Sequence, residues 1–296
     1  MSRQPAPSHH GILATARYLP RLRLERAEVL AQHRWMAPSL RGLAKGQRTM
    51  ASWDEDSVTM AVEATRALQS ALPEVAVRAL TLASTTLPFA ERLNAGIVAA
   101  AAGVADAATV RDVAGSARAA LTELATALRG EQAAGHVIVA AERRIARPAS
   151  AQEMIFGDGA AAALVGAGSP VATLVAHHGV HADLVDHFRA TGEDHDYGWE
   201  ERWVRDEGYL KIAVDALREC LGGASVQAGD VAHFVMPAPL PRVNDAVARR
   251  LGLAPTALVS NEHETSGDLG GAQPLAMLDL ALRRAAAGEL ILVAAF

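Results

Sequence analysis

A chain of 296 residues, half of them apolar and 21% charged, holds enough material for two modest domains or one large domain built from two halves. Its formal net charge of -5, with no Lys/Arg cluster, excludes nucleic acid as an expected partner. The single cysteine, Cys220, excludes an internal disulfide and a cysteine-rich metal site, and suits a reducing cytoplasm.

The opening "MSRQPAPSHHGILATARYLPR" has no apolar core of signal-peptide length. No uninterrupted run approaches the roughly 20 apolar residues that span a bilayer. The longest candidate, "AGIVAAAAGVADAATV", is mostly alanine and is broken by Asp106. A soluble cytoplasmic protein without a membrane partner is expected. "DEDSVTMAVEATRALQSAL" (54–72) predicts an amphipathic helix whose acidic start suits the helix dipole. "RALTLAST" (78–85), "GHVIVAAE" (135–142) and "AAAALVGAG" (160–168) predict buried strands. Between them, "RDVAGSARAALTELATALRG" (111–130) runs from a short apolar lead-in through a Gly-Ser turn into an Ala/Leu-rich helix.

The charged stretch 183–211 carries two of the four tryptophans, Trp199 and Trp203, and reads as an excursion off the sheet: a cap or a subunit contact. Beyond it the alternation resumes, with helices over 210–221 and 242–253 flanking a strand at 231–236. A helix over 270–288 then leads to a strand at 289–296. Strands alternating with helices predict an α/β fold, and the similar order in two halves suggests a duplication. The halves are placed at 1–170 and 171–296.

Several stretches together resemble the thiolase superfamily, in the branch holding beta-ketoacyl-ACP synthase III and hydroxymethylglutaryl-CoA synthase. "GILATARYLPRLRLERAEV" is similar to that family's first strand and loop. "WDEDSVTMAVEATRAL" (53–68) resembles a helix typical of the branch, and "LASTTLPFAE" (82–91) the loop after its second strand. "FGDGAAAALVG" (156–166) is similar to the turn between the family's halves. "RDEGYLKIAVDAL" and "GDLGGAQPLAMLDLAL" carry the likeness toward the end. The resemblance implies a five-layered α/β/α/β/α architecture, a homodimer or heteromer, and chemistry on acyl thioesters delivered by coenzyme A or acyl carrier protein. A metal or prosthetic group is not expected. The family follows its last such strand with a glycine-rich loop and one more strand. The sequence stops at Phe296, so either it is truncated or another chain completes the edge.

The catalytic pattern that the resemblance implies is missing here. A cysteine at a helix N-terminus, its thiolate favoured by the dipole, falls at Ala117. A register one residue earlier gives Ser116, which either serves as nucleophile or caps the helix. The family histidine falls at Pro237, with His233 four residues earlier inside the strand and read as packed or satisfied. The third role falls at Asp268, and the glutamate base of the synthase branch at Thr85.

Cys220, in a helix of the second half, is read as structural. "NEHETSGD" (261–268) makes His263 the histidine to test for remaining chemistry. His177 and His181, with His178 between them, have the spacing of a helical metal pair but no third ligand, and read as a loop. The "GDGA" glycines lack phosphate-loop spacing and read as aids to tight packing. The expectation is a catalytically degenerate subunit partnered by an active thiolase or ketosynthase, with an OB-fold acyl-CoA-binding protein as a candidate third member. The alternative is an acyltransferase or condensing enzyme using Ser116, with His263 or His233 as base.

Overall fold

The computed structural model of the chain describes residues 9–130 and 135–296. The first eight residues of the opening stretch therefore lie outside the described residues. The chain begins with β1 (His9–Tyr18), the pair β2 (Leu22–Glu25) and β3 (Gln47–Met50), and α1 (Arg26–His33) between them. Next come α2 (Ser57–Ala71), β4 (Val77–Ala83), α3 (Asn94–Ala101), β5 (Thr109–Val113), α4 (Ala119–Arg129) and β6 (Gly135–Glu142). The short α5 (Ala151–Ile155) leads into β7 (Gly159–Gly168).

One five-stranded sheet forms in the order β1-β7-β6-β4-β5. β4, β5 and β6 run parallel, and β7 lies antiparallel to both its neighbours. The period-2 alternation of β7 divides two cores. Ala160, Ala162 and Leu164 face α2 and α3, whereas Ala161, Ala163 and Val165 face α4 and the later helix at 273–282. The first core fully buries Met60, Leu68, Leu80 and Leu82, each contributing about 1.5–3 kcal/mol by area. α2 starts where expected because Asp56 and Thr59 form a reciprocal capping box, with N–H···O distances of 2.8 and 2.7 Å.

After β7 the chain runs irregularly, with only a small hairpin of β8 (His187–Phe188) and β9 (Tyr197–Gly198) before residue 200. Trp199 and Trp203 are half exposed there, as an excursion off the sheet requires. The next helix starts earlier than its apolar pattern suggests. The Glu200 carboxylate accepts the Arg202 and Trp203 N–H groups at 3.0 and 2.7 Å, opening α6 (Glu201–Trp203). This continues through a π-helical stretch, Val204–Ala213, into α7 (Val214–Gly223). Then follow β10 (Val231–Val235), α8 (Val243–Leu251), α9 (Gln273–Leu282) and β11 (Leu290–Val293). α9 stops six residues short of the predicted end, because turn bonds such as Arg284 N–H to Ala281 O at 3.0 Å close it.

The second half differs from the first in its sheet. Among the described residues it holds the parallel pair β10–β11 rather than five strands. α9 lies between the two sheets, touching the second core, on the α4 face of the large sheet, through Leu275 and Leu278 and the small sheet through Met277 and Ala281. α7 and α8 cover the outer face of β10–β11. The layer order is thus α2/α3, large sheet, α4/α9, small sheet, α7/α8, the five-layered arrangement expected from the sequence.

Candidate active site

The site gathers where β4, β5 and β6 end, the end of a parallel sheet at which α/β proteins place ligands. Beyond β5, Ser116 and Ala117 form the turn that opens α4. The Ser116 carbonyl accepts the Ala119 N–H at 3.1 Å, and its hydroxyl oxygen accepts the Arg118 N–H at 3.3 Å. Ser116 therefore caps the turn. The positive end of the α4 dipole makes this a place that favours negative charge, which is what a nucleophilic thiol would need. Ala117 supplies a methyl.

Ser116, Ala117 and Thr85 line a cavity of about 1590 Å³ bounded by the irregular segment after β7, by α7 and by β11. Cys220 also borders it, half-buried, and burial pushes its thiol up. His177, His178 and His181 border it on the irregular segment, not on a helix.

Immediately behind Ala117 lies a buried charged cluster. A Cβ on Gly271 would sit 2.9 Å from Glu142 Oε1 and 3.2 Å from the Ala117 carbonyl, so only glycine allows these three to meet. Glu142, at the end of β6, is fully buried. It accepts the Thr85 N–H at 2.9 Å and the Thr85 and Thr86 hydroxyls at 3.0 and 2.8 Å. Burial pushes its carboxyl up, and the threonine donors and Arg144 oppose that only in part.

Arg144 pairs with Asp268 at 3.0 Å, both side chains 8% exposed. Its guanidinium also lies 3.8 Å over the Phe156 ring. Burial would raise the Asp268 carboxyl, but Arg144, His263 and the Gly270 N–H outweigh it and hold it below its usual range. The "FGDGA" turn locks this cluster to β3. Gly157 N–H donates to the Asp268 carbonyl at 2.9 Å, and the Ala51 N–H donates to Asp158 at 2.8 Å. A Cβ on Gly157 would lie 1.9 Å from the Ser266 carbonyl oxygen. These glycines permit close backbone approach.

The sequence-predicted positions do not all converge. Ser116, Ala117 and Thr85 share the cavity; Asp268 stands behind it; His263 joins through Asp268. Burial pushes the His263 ring down, and its Nε2 is buried without a hydrogen-bond partner among the described residues. Pro237 follows β10 and, like His233, does not line the cavity. His233 bonds Glu289 at 3.0 Å, a satisfied histidine.

Sequence reasoning passed over Glu142 and Arg144. The available signal was the run "ERR" at the end of a strand otherwise wholly apolar apart from His136. It also passed over a charged hairpin on the cavity wall. There Asp186 bonds His187 Nδ1 at 2.9 Å, and Arg189 bonds Asp196 at 2.6 Å and the Thr85 carbonyl. The hydrogen bond that its Nδ1–H donates to Asp186 keeps His187 protonated to higher pH than usual, against the effect of burial.

No family model matches the chain. It is 26% identical over 302 residues to hydroxymethylglutaryl-CoA synthase of Methanopyrus kandleri, covering 97% of this chain and 83% of that protein. The Methanocella arvoryzae enzyme of the same name is 27% identical over 249 residues, 82% of this chain and 71% of that one. Among solved structures, 3-oxoacyl-(acyl carrier protein) synthase III from Pseudomonas aeruginosa superposes with a TM-score of 0.82 at 23% identity, covering 97% and 94% of the two chains. A hydroxymethylglutaryl-CoA synthase solved with coenzyme A gives 0.81 at 18% identity, covering 95% and 77%. The fold is therefore thiolase-like. The chain is similar to the branch of hydroxymethylglutaryl-CoA synthase and beta-ketoacyl-ACP synthase III, as its motifs imply.

Proposed function

We propose that this chain is a catalytically degenerate member of that branch. It binds an acyl-CoA thioester, or supports its binding, as a partner subunit of an active thiolase or ketosynthase together with an OB-fold acyl-CoA-binding protein. The observation that carries this reading is the mouth of α4. Ala117 stands where the thiol is needed, and the Ser116 hydroxyl is held to the Arg118 N–H with no basic side chain bonded to it among the described residues. A serine without a base at hydrogen-bond reach is a weak nucleophile. Pro237 and Thr85 add two further losses. The carboxylate nearest Thr85, Glu142, is sealed from solvent and committed to three hydrogen bonds.

Purification of the tagged chain from its own cells tests the reading. Recovery of a thiolase-type or OB-fold partner is expected. A stable homodimer that condenses acetyl-CoA with an acyl acceptor overturns it.

One observation favours a second reading. Ser116 and the Asp186-held His187 border the same cavity. In that reading the Ser116 oxygen bonds the acyl carbon as the carbon–sulfur bond breaks. In its neutral form His187 takes the serine proton as that bond forms and passes it to the departing thiolate.

A further inference from the structure

At the opposite end of the same parallel strands, where β4, β5 and β6 begin, a second hollow of about 230 Å³ opens beside the last turn of α4. Among the described residues its wall carries His10, Arg78, Arg111 and His136 and no carboxylate. The pairing of β4 with β6 shifts register between Val77 and Ala79, leaving Arg78 opposite no residue. A bulge of this kind re-aims a side chain. Here it brings Arg78 into the same wall as Ala79 and Thr81.

The donors can be assigned atom by atom. Thr81 Oγ1 accepts Arg111 Nε–H at 3.1 Å and lies 2.9 Å from His136 Nε2. With the threonine hydrogen on that second bond, the neutral His136 ring carries its own hydrogen on Nδ1, as a donor. Burial and the neighbouring Arg111 push the His136 ring down, in keeping with the neutral form. Arg111 spends Nη2 on Glu123 at the rim and keeps Nη1.

His10 completes the set. Its Nε2–H donates to the Ala127 carbonyl at 2.9 Å, which makes Nδ1 the acceptor of the neutral ring. That atom is buried and unpartnered among the described residues. The carbonyls of α4 that face the hollow are occupied as well. Thr126 and Ala127 both accept the Gly130 N–H at 3.2 Å, which blunts the negative helix end.

We propose that this hollow binds a small oxyanion that retains a hydroxyl hydrogen, namely a monoprotonated phosphate group. Its charged oxygens accept from Arg78, Arg111 Nη1 and His136 Nδ1–H, and its P–OH donates to His10 Nδ1. The site is separate from the cavity at Ala117 and goes beyond the function proposed above. The phosphate is either free or the end of a phosphomonoester.

Calorimetry on the whole chain with inorganic phosphate, sulfate and glycerol phosphate tests this. Phosphate is expected to bind one site per chain, with sulfate at least about tenfold weaker because it offers no hydroxyl to His10. Tighter binding of glycerol phosphate than of inorganic phosphate assigns the site to a phosphomonoester, and weaker binding assigns it to the free ion. The exposed Arg78, changed to glutamine, should weaken phosphate about tenfold or more while circular dichroism is unchanged. Equal binding of phosphate and sulfate, no saturable heat with any of the three ligands, or indifference to Arg78→Gln in the folded variant overturns the proposal. The wild-type comparison stands whether or not the variant folds.

Discussion

Replacing Arg144 by methionine removes the cation at the centre of the buried cluster. Asp268 loses its 3.0 Å partner and the Phe156 ring loses the guanidinium 3.8 Å above it. Both members of the ion pair are nearly inaccessible, so water does not replace the lost partner. Breaking a buried pair by deleting one member costs about 3–5 kcal/mol, because the other charge stays uncompensated. For a chain of this size that is a fall in melting temperature of about 6–10 °C.

The pH dependence adds a signed check. In the wild type the Asp268 carboxyl is held below its ordinary value of 3.8. Its contribution is therefore complete above that value and is lost as pH falls through the folded value. Without Arg144, burial raises the same carboxyl, and protonation relieves the penalty. The gap between Arg144→Met and wild type, read from urea unfolding, should narrow from pH 7 to pH 4. A cost under about 1 kcal/mol at pH 7, or a gap that does not narrow, refutes the reasoning.

Glu142→Gln tests the opposite sign. A carboxyl raised by burial contributes stability below its unfolded value that is lost as pH rises through the folded one, so the variant should flatten that part of the unfolding profile. Gly157→Ala drives a Cβ to within 1.9 Å of a backbone oxygen and should destabilise the chain by about 3 kcal/mol or more in denaturant titration. Ala117→Cys should add a thiol at the start of α4 that iodoacetamide alkylates faster at pH 7 than it does Cys220, whose thiol burial pushes up. Condensation of acetyl-CoA should still be absent from that variant, because Pro237 and Thr85 are unchanged. Faster labelling of Cys220 contradicts the geometry assigned to the α4 mouth.

The predicted strands, β4, β6, β7, β10 and β11, lie within a few residues of their sequence-predicted bounds, whereas α3 and β5 were not predicted. Their signal is local: period-2 apolar runs and a capping box. Ala117 and Asp268 sit inside the motifs that carry the resemblance. What escaped is non-local. Arg144 meets Asp268 across 124 residues, and Glu142 reaches Thr85 across 57. Nothing in the spacing of "ERR" says that one arginine turns inward to a partner in the other half. The helix start at Glu201 was hidden for a different reason. A side-chain cap, not an apolar face, sets it, and the π-helical turns that follow blur the 3.6-residue period.

The central claim is that the site at the mouth of α4 has lost covalent acyl chemistry. Incubation of the purified chain with acetyl-CoA, followed by intact-mass measurement of the wild type and Ser116→Ala, tests it directly. The account predicts an unchanged mass for both proteins. An acetyl adduct on the wild type that disappears in Ser116→Ala contradicts it.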